Sequence, residues 1–280
     1  MSLAIAYLGP SGTYSEMAAL AYSQVLQSRG IESHLYPCPT IAHSLRAIAS
    51  QQTQVAVVPV ENSIEGSVTV TLDTLWQLDE LRIQQALVLP ISHALLSYAK
   101  GLDALRTVYS HPQALAQCQV WLETSLPNAQ VIPTHSTTEA LQYLEQDETV
   151  AAIASQRAAQ LYHLPTLVHP INDHPDNCTR FWALSLESSP GGSHSSLAFS
   201  LPANLPGSLA KVLQIFAQRD INLSRIESRP TKRSLGEYLF FTDIEADVKA
   251  PLVQAALEEL RQYTETLKIF GSYTILPVNA

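Results

Sequence analysis

Short apolar runs alternate with stretches of helical spacing along the first part of the chain, and this pattern predicts most of its elements. Residues 3–8 and 55–60 are apolar with almost no polar alternation, as strands buried on both faces require. Between them Gly9-Pro10-Ser11-Gly12-Thr13 turns the chain into a helix whose inward face is predicted to carry Met17, Leu20, Ala21 and Gln24. Thr40 caps a second helix in which Ile41, Leu45 and Ile48 recur at helical spacing, and Val68, Leu72 and Leu75 mark a third. Apolar strand material around Pro90, over residues 81–98, leads into a second set: strands at 107–109, 130–132 and 150–154, with helices beginning near Pro112 and Ser136. Glu139 stands three residues after Ser136, the spacing of a capping box. Such alternation predicts α/β lobes with parallel strands and crossover helices. After a loop over 170–178, the apolar run 181–186 is expected to return to the first sheet, giving two lobes and a cleft; periodicity alone does not dictate that crossing.

Residues 187–194, polar and Gly-rich with no apolar period, read as a flexible linker. Beyond it Leu197, Phe199 and Leu201 alternate as a half-buried strand, and Leu209, Val212, Leu213 and Phe216 form one helical face. Further strands are expected at 221–228, 238–244 and 267–275, with a helix burying Val253, Ala256, Leu257 and Leu260 between the last two. The order βαββαβ predicts an α+β module: a four-stranded antiparallel sheet with two helices on one face. Its opposite face or its edge is left for self-association. The expected division is a two-lobed domain over 1–186 (lobes about 1–85 with 170–186, and 86–169), a linker at 187–194 and the smaller module over 195–280.

Composition narrows the class. The chain has 280 residues, 46% hydrophobic and 15% charged, too apolar for disorder and long enough for two compact domains. Its formal charge of -9 argues against general binding to nucleic acid or anionic membranes, because phosphate contacts need concentrated lysine and arginine. A small anion held by local donors stays open. No basic segment precedes the first apolar run, and no later stretch reaches the roughly 20 apolar residues of a membrane span; a cytoplasmic protein is expected. Cys38, Cys118 and Cys178 are odd in number and widely spaced, which fits reduced thiols better than a disulfide framework or a zinc site.

Polar clusters stand at the ends of predicted strands, where ligands of open α/β sheets gather. Thr179-Arg180-Phe181 sets a hydroxyl beside a guanidinium before an apolar run, a pair suited to a small anion that loses an oxygen. Asn62 and Ser63 offer an amide and a hydroxyl, whereas Glu61 would repel an anion unless paired or turned away. Ser110 stands at a helix entrance, Gln113 and Gln117 share a helical face, and His111 reads as a turn residue. In Gly9-Pro10-Ser11-Gly12-Thr13 the glycines allow close backbone approach and Ser11 and Thr13 add donors, without the lysine of a P-loop or a GxGxxG pattern. Each cluster also has an ordinary reading: a capping threonine, an Asn62 that caps the next helix, surface glutamines, an Arg180 paired with Asp176 or Asp173. A nucleophilic Cys178 has no His-rich companion motif to support it.

Taken together, Gly12-Thr13-Tyr14-Ser15-Glu16, Pro59-Val60-Glu61-Asn62-Ser63, Ser110-His111-Pro112-Gln113-Ala114-Leu115, Thr179-Arg180-Phe181 and Glu227-Ser228-Arg229-Pro230, in this order, closely resemble the prephenate dehydratase family with its C-terminal ACT regulatory domain. The resemblance implies a catalytic part of two α/β lobes like type 2 periplasmic binding proteins, with the active site in the cleft. It implies conversion of prephenate to phenylpyruvate, carbon dioxide and water on the route to phenylalanine, with no cofactor or metal. Some relatives carry a chorismate mutase domain upstream; with the first strand starting at Leu3, none is expected here. By the same resemblance Thr179 donates a hydrogen bond or a proton to the leaving oxygen, and Asn62, Ser110 and Gln117 surround the substrate; Ser11, Thr13 and Arg180 fit as carboxylate donors, and the clusters themselves add Ser63 and Gln113 as candidate contacts. The ACT module implies a phenylalanine site between paired subunits, a dimer or tetramer, at Asn204, Leu205, Pro206, Gly207, Ser208 and Leu209 with Glu227 and Ser228. That loop departs from the family's usual form, with Asn204 for Asp, Ser208 for Ala and Ala210 for Val. Arogenate dehydratase shares these motifs, and a noncatalytic two-lobed amino-acid sensor is the rival from another class.

Overall fold

In the computed structural model, which describes residues 2–144 and 147–278, the longest apolar runs become the middle of a seven-stranded sheet. Its order is Ile275–Pro277, Arg82–Pro90, Cys178–Ser185, Val55–Asn62, Leu3–Leu8 and Ser33–Cys38, with Gly66–Ser67 paired to Val55–Asn62. Leu3–Leu8 is parallel to both neighbours, and Cys178–Ser185 is antiparallel to both of its own. The run after the loop therefore does return to the first lobe. Burial explains why: Phe181, Trp182, Ala183 and Leu184 are all sealed in the middle of the sheet, and each large side chain contributes about 1.5–3 kcal/mol when fully buried. The edge strand Ser33–Cys38 has no counterpart in the sequence reading, because most of its residues are polar or exposed.

The second lobe is a five-stranded sheet ordered Thr166–Val168, His93–Leu96, Val150–Ser155, Thr107–Ser110 and Gln130–Pro133. The chain enters it through Arg82–Pro90 and His93–Leu96 and leaves through the segment before Cys178, so two crossings flank the cleft. Ser136 Oγ accepts from the Glu139 N–H and Glu139 Oε2 from the His135 N–H, but the turn closes into a short 3-10 helix, Glu139–Tyr143, instead of an α-helix.

The helix Tyr14–Ser28 buries Ala18, Ala19, Tyr22 and Leu26, not the predicted face of Met17, Leu20, Ala21 and Gln24. Two adjacent alanines let this helix lie close to the sheet, Tyr22 and Leu26 extend the buried stripe, and Met17 packs at its margin, half-buried. The helix Ile41–Ala49 follows expectation: Thr40 accepts from the His43 N–H, and Leu45 and Ile48 are buried.

The C-terminal module is the four-stranded antiparallel sheet Leu223–Pro230, Tyr238–Ile244, His194–Ser200, Thr266–Tyr273. Its helices Ser208–Ala217 and Pro251–Leu260 pack on one face over Leu197 and Phe199. The other face is not free for self-association. Ala198, Leu239, Phe241, Phe270 and Tyr273 join Trp182, Leu184, Leu72 and Leu75 in one core, so the module is seated on the first lobe. Nor is 267–275 one strand: it stops at Tyr273, and Ile275–Pro277 crosses to the first sheet, where Ile275 pairs with Ala86. The segment 187–194 is held down as well. Gly192 donates to Asp247 Oδ2 at 2.8 Å and lies so near Tyr273 that a Cβ would fall 2.2 Å from its carbonyl carbon. Among the described residues no helix is long and apolar enough to cross a membrane.

Candidate active site

The cleft between the lobes, about 740 Å³, is walled by Ile91 and His93 of the first crossing, by the loop after Leu8, by the tips of Val55–Asn62 and Cys178–Ser185, and by residues 111–117 and 135–137 of the second lobe. Among the described residues no lysine or arginine lines it. Its anion-binding capacity comes from elsewhere: Thr13, Tyr14 and Ser15 bring the N-terminus of the Tyr14–Ser28 helix to the wall, and Val68, Thr69 and Val70 bring that of Thr69–Gln77, which has no side-chain cap. Free N–H groups and the positive end of the helix dipole favour anions there.

Thr179 is 8% exposed and lines the cleft, on the same face of its strand as Phe181. Its backbone partner across the sheet is Asn62. Asn62 Oδ1 accepts the N–H groups of Ile64 and Glu65, both at 3.0 Å, which fixes the amide so that Nδ2 is the donor at the other end. Nδ2 donates to Thr179 Oγ1 at 2.9 Å and to Asn177 Oδ1 at 2.8 Å. The directions then follow outward. Asn177 Nδ2 donates to Gln117 Oε1 at 2.9 Å, so His93 Nε2, 3.0 Å from the same oxygen, carries the proton. Burial lowers the His93 pKa, against the smaller pull of Gln117, and the imidazole is neutral at pH 7. The Tyr14 hydroxyl lies 3.3 Å from His93 Nδ1 but donates its proton to Ser92 O at 2.6 Å, so the chain of directed bonds ends at His93. Backbone geometry at residues 64 and 65 thus dictates that Thr179 Oγ1 accepts from the protein, leaving its own proton for the cleft.

Other expected site residues are distributed differently. Gln117 lines the cleft, and its Nε2 takes no part in this network; Gln113 lines it with an exposed side chain. Thr13 lines it too, but its hydroxyl is the helix cap, donating to Pro10 O and accepting from the Glu16 N–H. Ser11 is outside the lining and bonds Tyr7, and the Gly12 N–H goes to Glu16 Oε2, so neither the Ser11 side chain nor the Gly12 N–H is turned to an anion in the cleft. Instead the Gly12 carbonyl accepts from Ser155 of the second lobe, which ties the lobes together. Ser110 is fully buried and donates to Ile153 O; Ser63 pins the strand tips by accepting from the Cys178 N–H. Neither lines the cleft. Arg180 is corrected most clearly: alternation turns it to the opposite face, where it pairs with Glu61 at 2.6 Å and Asp243 at 2.8 Å, not with Asp176 or Asp173. Sequence reasoning passed over Asn177, His93 and Tyr14. Asn177 did carry a signal, standing two residues before Thr179 and hence on the same face of an extended chain.

Cys178 is partly exposed at the strand tip, while Cys38 and Cys118 are buried. Burial raises the pKa of Cys38, and burial with the charge of Asp173 pushes Cys118 up to about 12. A thiol reagent at neutral pH is expected to modify one cysteine per native chain; rapid reaction of all three without unfolding would contradict the buried positions.

In the C-terminal module Gly207 adopts φ 83°, which a side chain would strain, and opens the Ser208–Ala217 helix. Asn204 donates to Gly236 O and lines a pocket of about 300 Å³ with Arg233, Tyr238 and Glu265. Leu205, Pro206, Ser208, Leu209, Glu227 and Ser228 do not line that pocket. Glu227 accepts from Ser67 of the first lobe at 3.1 Å.

Comparison with known proteins agrees with this architecture. The family model for prephenate dehydratase matches residues 5–189, and that for the ACT domain residues 195–262. A prephenate dehydratase of Lactococcus lactis subsp. cremoris is 37% identical, covering 97% of each chain. A bifunctional chorismate mutase/prephenate dehydratase of Aquifex aeolicus is 40% identical over 96% of this chain and 73% of its own. Among solved structures, prephenate dehydratase from Arthrobacter aurescens in complex with L-Phe superposes with a TM-score of 0.85 at 34% identity, covering 97% of this chain and 90% of that one.

Proposed function

The chain belongs to the prephenate dehydratase family, and we infer on that footing that its cleft converts prephenate to phenylpyruvate, carbon dioxide and water in phenylalanine biosynthesis. One observation supports the mechanism above others: Thr179 Oγ1 accepts from Asn62, so its proton is available to the cleft. Prephenate carries two carboxylates and a 4-hydroxyl on a cyclohexadiene ring. As the ring carboxylate leaves as carbon dioxide, its bonding electrons flow into the ring and expel the 4-oxygen as hydroxide, which takes a proton from solvent to become water. The gain of aromaticity supplies the driving force. What the protein contributes is orientation and stabilisation of charge growing on the leaving oxygen. Thr179 donates its hydrogen bond there; an alkyl hydroxyl is a weak acid, so full proton transfer is not required of it. The two helix N-termini and the Gln117 amide receive the carboxylates, and His93, neutral, holds Gln117 in place without adding charge.

The L-Phe complex of the Arthrobacter aurescens relative supports phenylalanine as effector here, bound by the ACT domain through the loop Asn204 to Leu209 in a homodimer or homotetramer. A cytoplasmic location accords with a biosynthetic role. The test is to assay the purified protein with prephenate and with arogenate, each with and without phenylalanine. Phenylpyruvate from prephenate, slowed by phenylalanine, is expected. Preference for arogenate would move the substrate assignment, and product from neither would leave the sensor reading.

A further inference from the structure

On the side of the sheet away from the cleft, four charges meet. Arg180 and Glu61 are paired residues on adjacent strands, one step along from the pair Thr179 and Asn62. Arg180 also reaches Asp243 of the ACT sheet, whose side chain is 0% exposed. Arg225, from the neighbouring ACT strand, lies 3.4 Å from the same Asp243 oxygen and 4.0 Å from Glu61. Two guanidinium groups and two carboxylates balance around the buried Asp243, with Glu61 at the solvent side, 38% exposed. Burial alone would lower the pKa of Arg180, but Asp243 and Glu61 more than offset that, so it stays charged. Asp243 is anchored in turn: its Oδ1 accepts from Ser196 at 2.6 Å, and Ser196 bonds Tyr273.

The ladder between the two strands is irregular just there. Arg180 faces Glu61, but Phe181 faces Pro59, so Val60 is an extra residue and the strand tips lie beyond a bulge. On this side the regular register of the sheet does not fix where Thr179 and Asn62 sit. The other side keeps regular register with Arg82–Pro90, Thr179 standing opposite Leu89, and the cluster adds a constraint on the bulged side, because side chains of successive residues share one backbone: holding Arg180 from behind helps hold Thr179 in front. A second tie runs through Ser67, which lines the cleft, donates to Glu227 and accepts from Arg225.

We propose that Asp243, which lies in the ACT domain and outside the cleft, is a positioning residue for the dehydration: through Arg180 it fixes the strand tip that presents the Thr179 hydroxyl. Catalysis therefore depends on where the ACT sheet is seated. The inference rests on the reading of the cleft given above, and the wild-type assay separates the two: no turnover by wild type removes that reading, whereas normal turnover by the variants below removes only this one.

The test measures kcat and KM for prephenate, in the full chain without phenylalanine, for Arg180→Lys, Asp243→Asn and the double variant. Displacing a reacting group by about 1 Å costs on the order of 100-fold; each single change, which loosens the tip without releasing it, is expected to lower kcat by about 10-fold with KM within about 2-fold. The double variant should be no slower than the worse single one, since both break the same contact. Should Asp243→Asn fail to fold, Ser196→Ala replaces it, loosening Asp243 without removing a charge, and its loss in kcat should vanish in the Arg180→Lys background. Wild-type kcat in the folded single variants, or losses that multiply, would overturn the proposal.

Discussion

Thr179→Ala is expected to lower kcat for prephenate by about 100-fold or more, the loss typical of removing a positioned acid or hydrogen-bond donor. The fold should survive. Thr179 Oγ1 is one of three acceptors around Asn62 Nδ2, and Asn177 Oδ1 and Cys178 O remain when it is gone. No buried donor is orphaned, so thermal unfolding should shift little while turnover collapses. Thr179→Ser keeps the hydroxyl but loses the β-branch that restricts its rotamer, and an intermediate loss of about 10-fold is expected. Phenylpyruvate formation at saturating prephenate gives all three rates. Turnover close to wild type in the alanine variant would remove Thr179 from the reaction.

Asn62→Asp is expected to be at least as damaging, by about 100- to 1,000-fold in kcat, although it exchanges one small group. A carboxylate at this position still accepts the N–H groups of Ile64 and Glu65, so the turn is preserved. It has no proton to donate. Thr179 would then reverse its hydroxyl to donate to Asp at position 62, and the proton meant for the leaving oxygen would face the protein. The substitution also adds a negative charge to a cleft that must take a dianion, without a lysine or arginine in its lining to compensate. The carboxylate would also face the acceptors Asn177 Oδ1 and Cys178 O in a buried place and lower the melting temperature, so two signs distinguish the effect from simple misfolding: a cooperative melt that still lies above the assay temperature, and a double variant with Thr179→Ala no slower than the slower single one. If the two losses multiply, Asn62 acts independently of the threonine.

Much of this arrangement was legible in the chain, and the failures have definite causes. Runs such as 55–60 and 181–186 identify core strands because burial on both faces tolerates no polar residue. Thr40 and the Val253 face follow from capping and period, which are local. Arg180 was misassigned because adjacency in sequence was taken for adjacency in space, whereas in a strand neighbours point to opposite faces; the residue that shares a face with Thr179 is Asn177. Neither the residue type of Ser11 nor the resemblance that points to Ser110 shows that each hydroxyl already has a partner inside the protein, Tyr7 for Ser11 and the Ile153 carbonyl for Ser110. The crossing of Ile275–Pro277 into the first sheet leaves no local trace, since an apolar strand reads alike in either sheet. The seat of the ACT module on Trp182 and Leu184 was hidden for the same reason: those residues look like ordinary core until the partner face is known.

The direction of one hydrogen bond carries the mechanism, and a crystal structure with a non-reactive prephenate analogue in the cleft tests it most directly. The account requires Thr179 Oγ1 within about 3 Å of the atom that stands for the 4-oxygen, with Asn62 Nδ2 still donating to the threonine from behind. A 4-oxygen lying well beyond hydrogen-bond reach of Thr179 with no bridging water, or a threonine that donates to Asn62 instead, would contradict it.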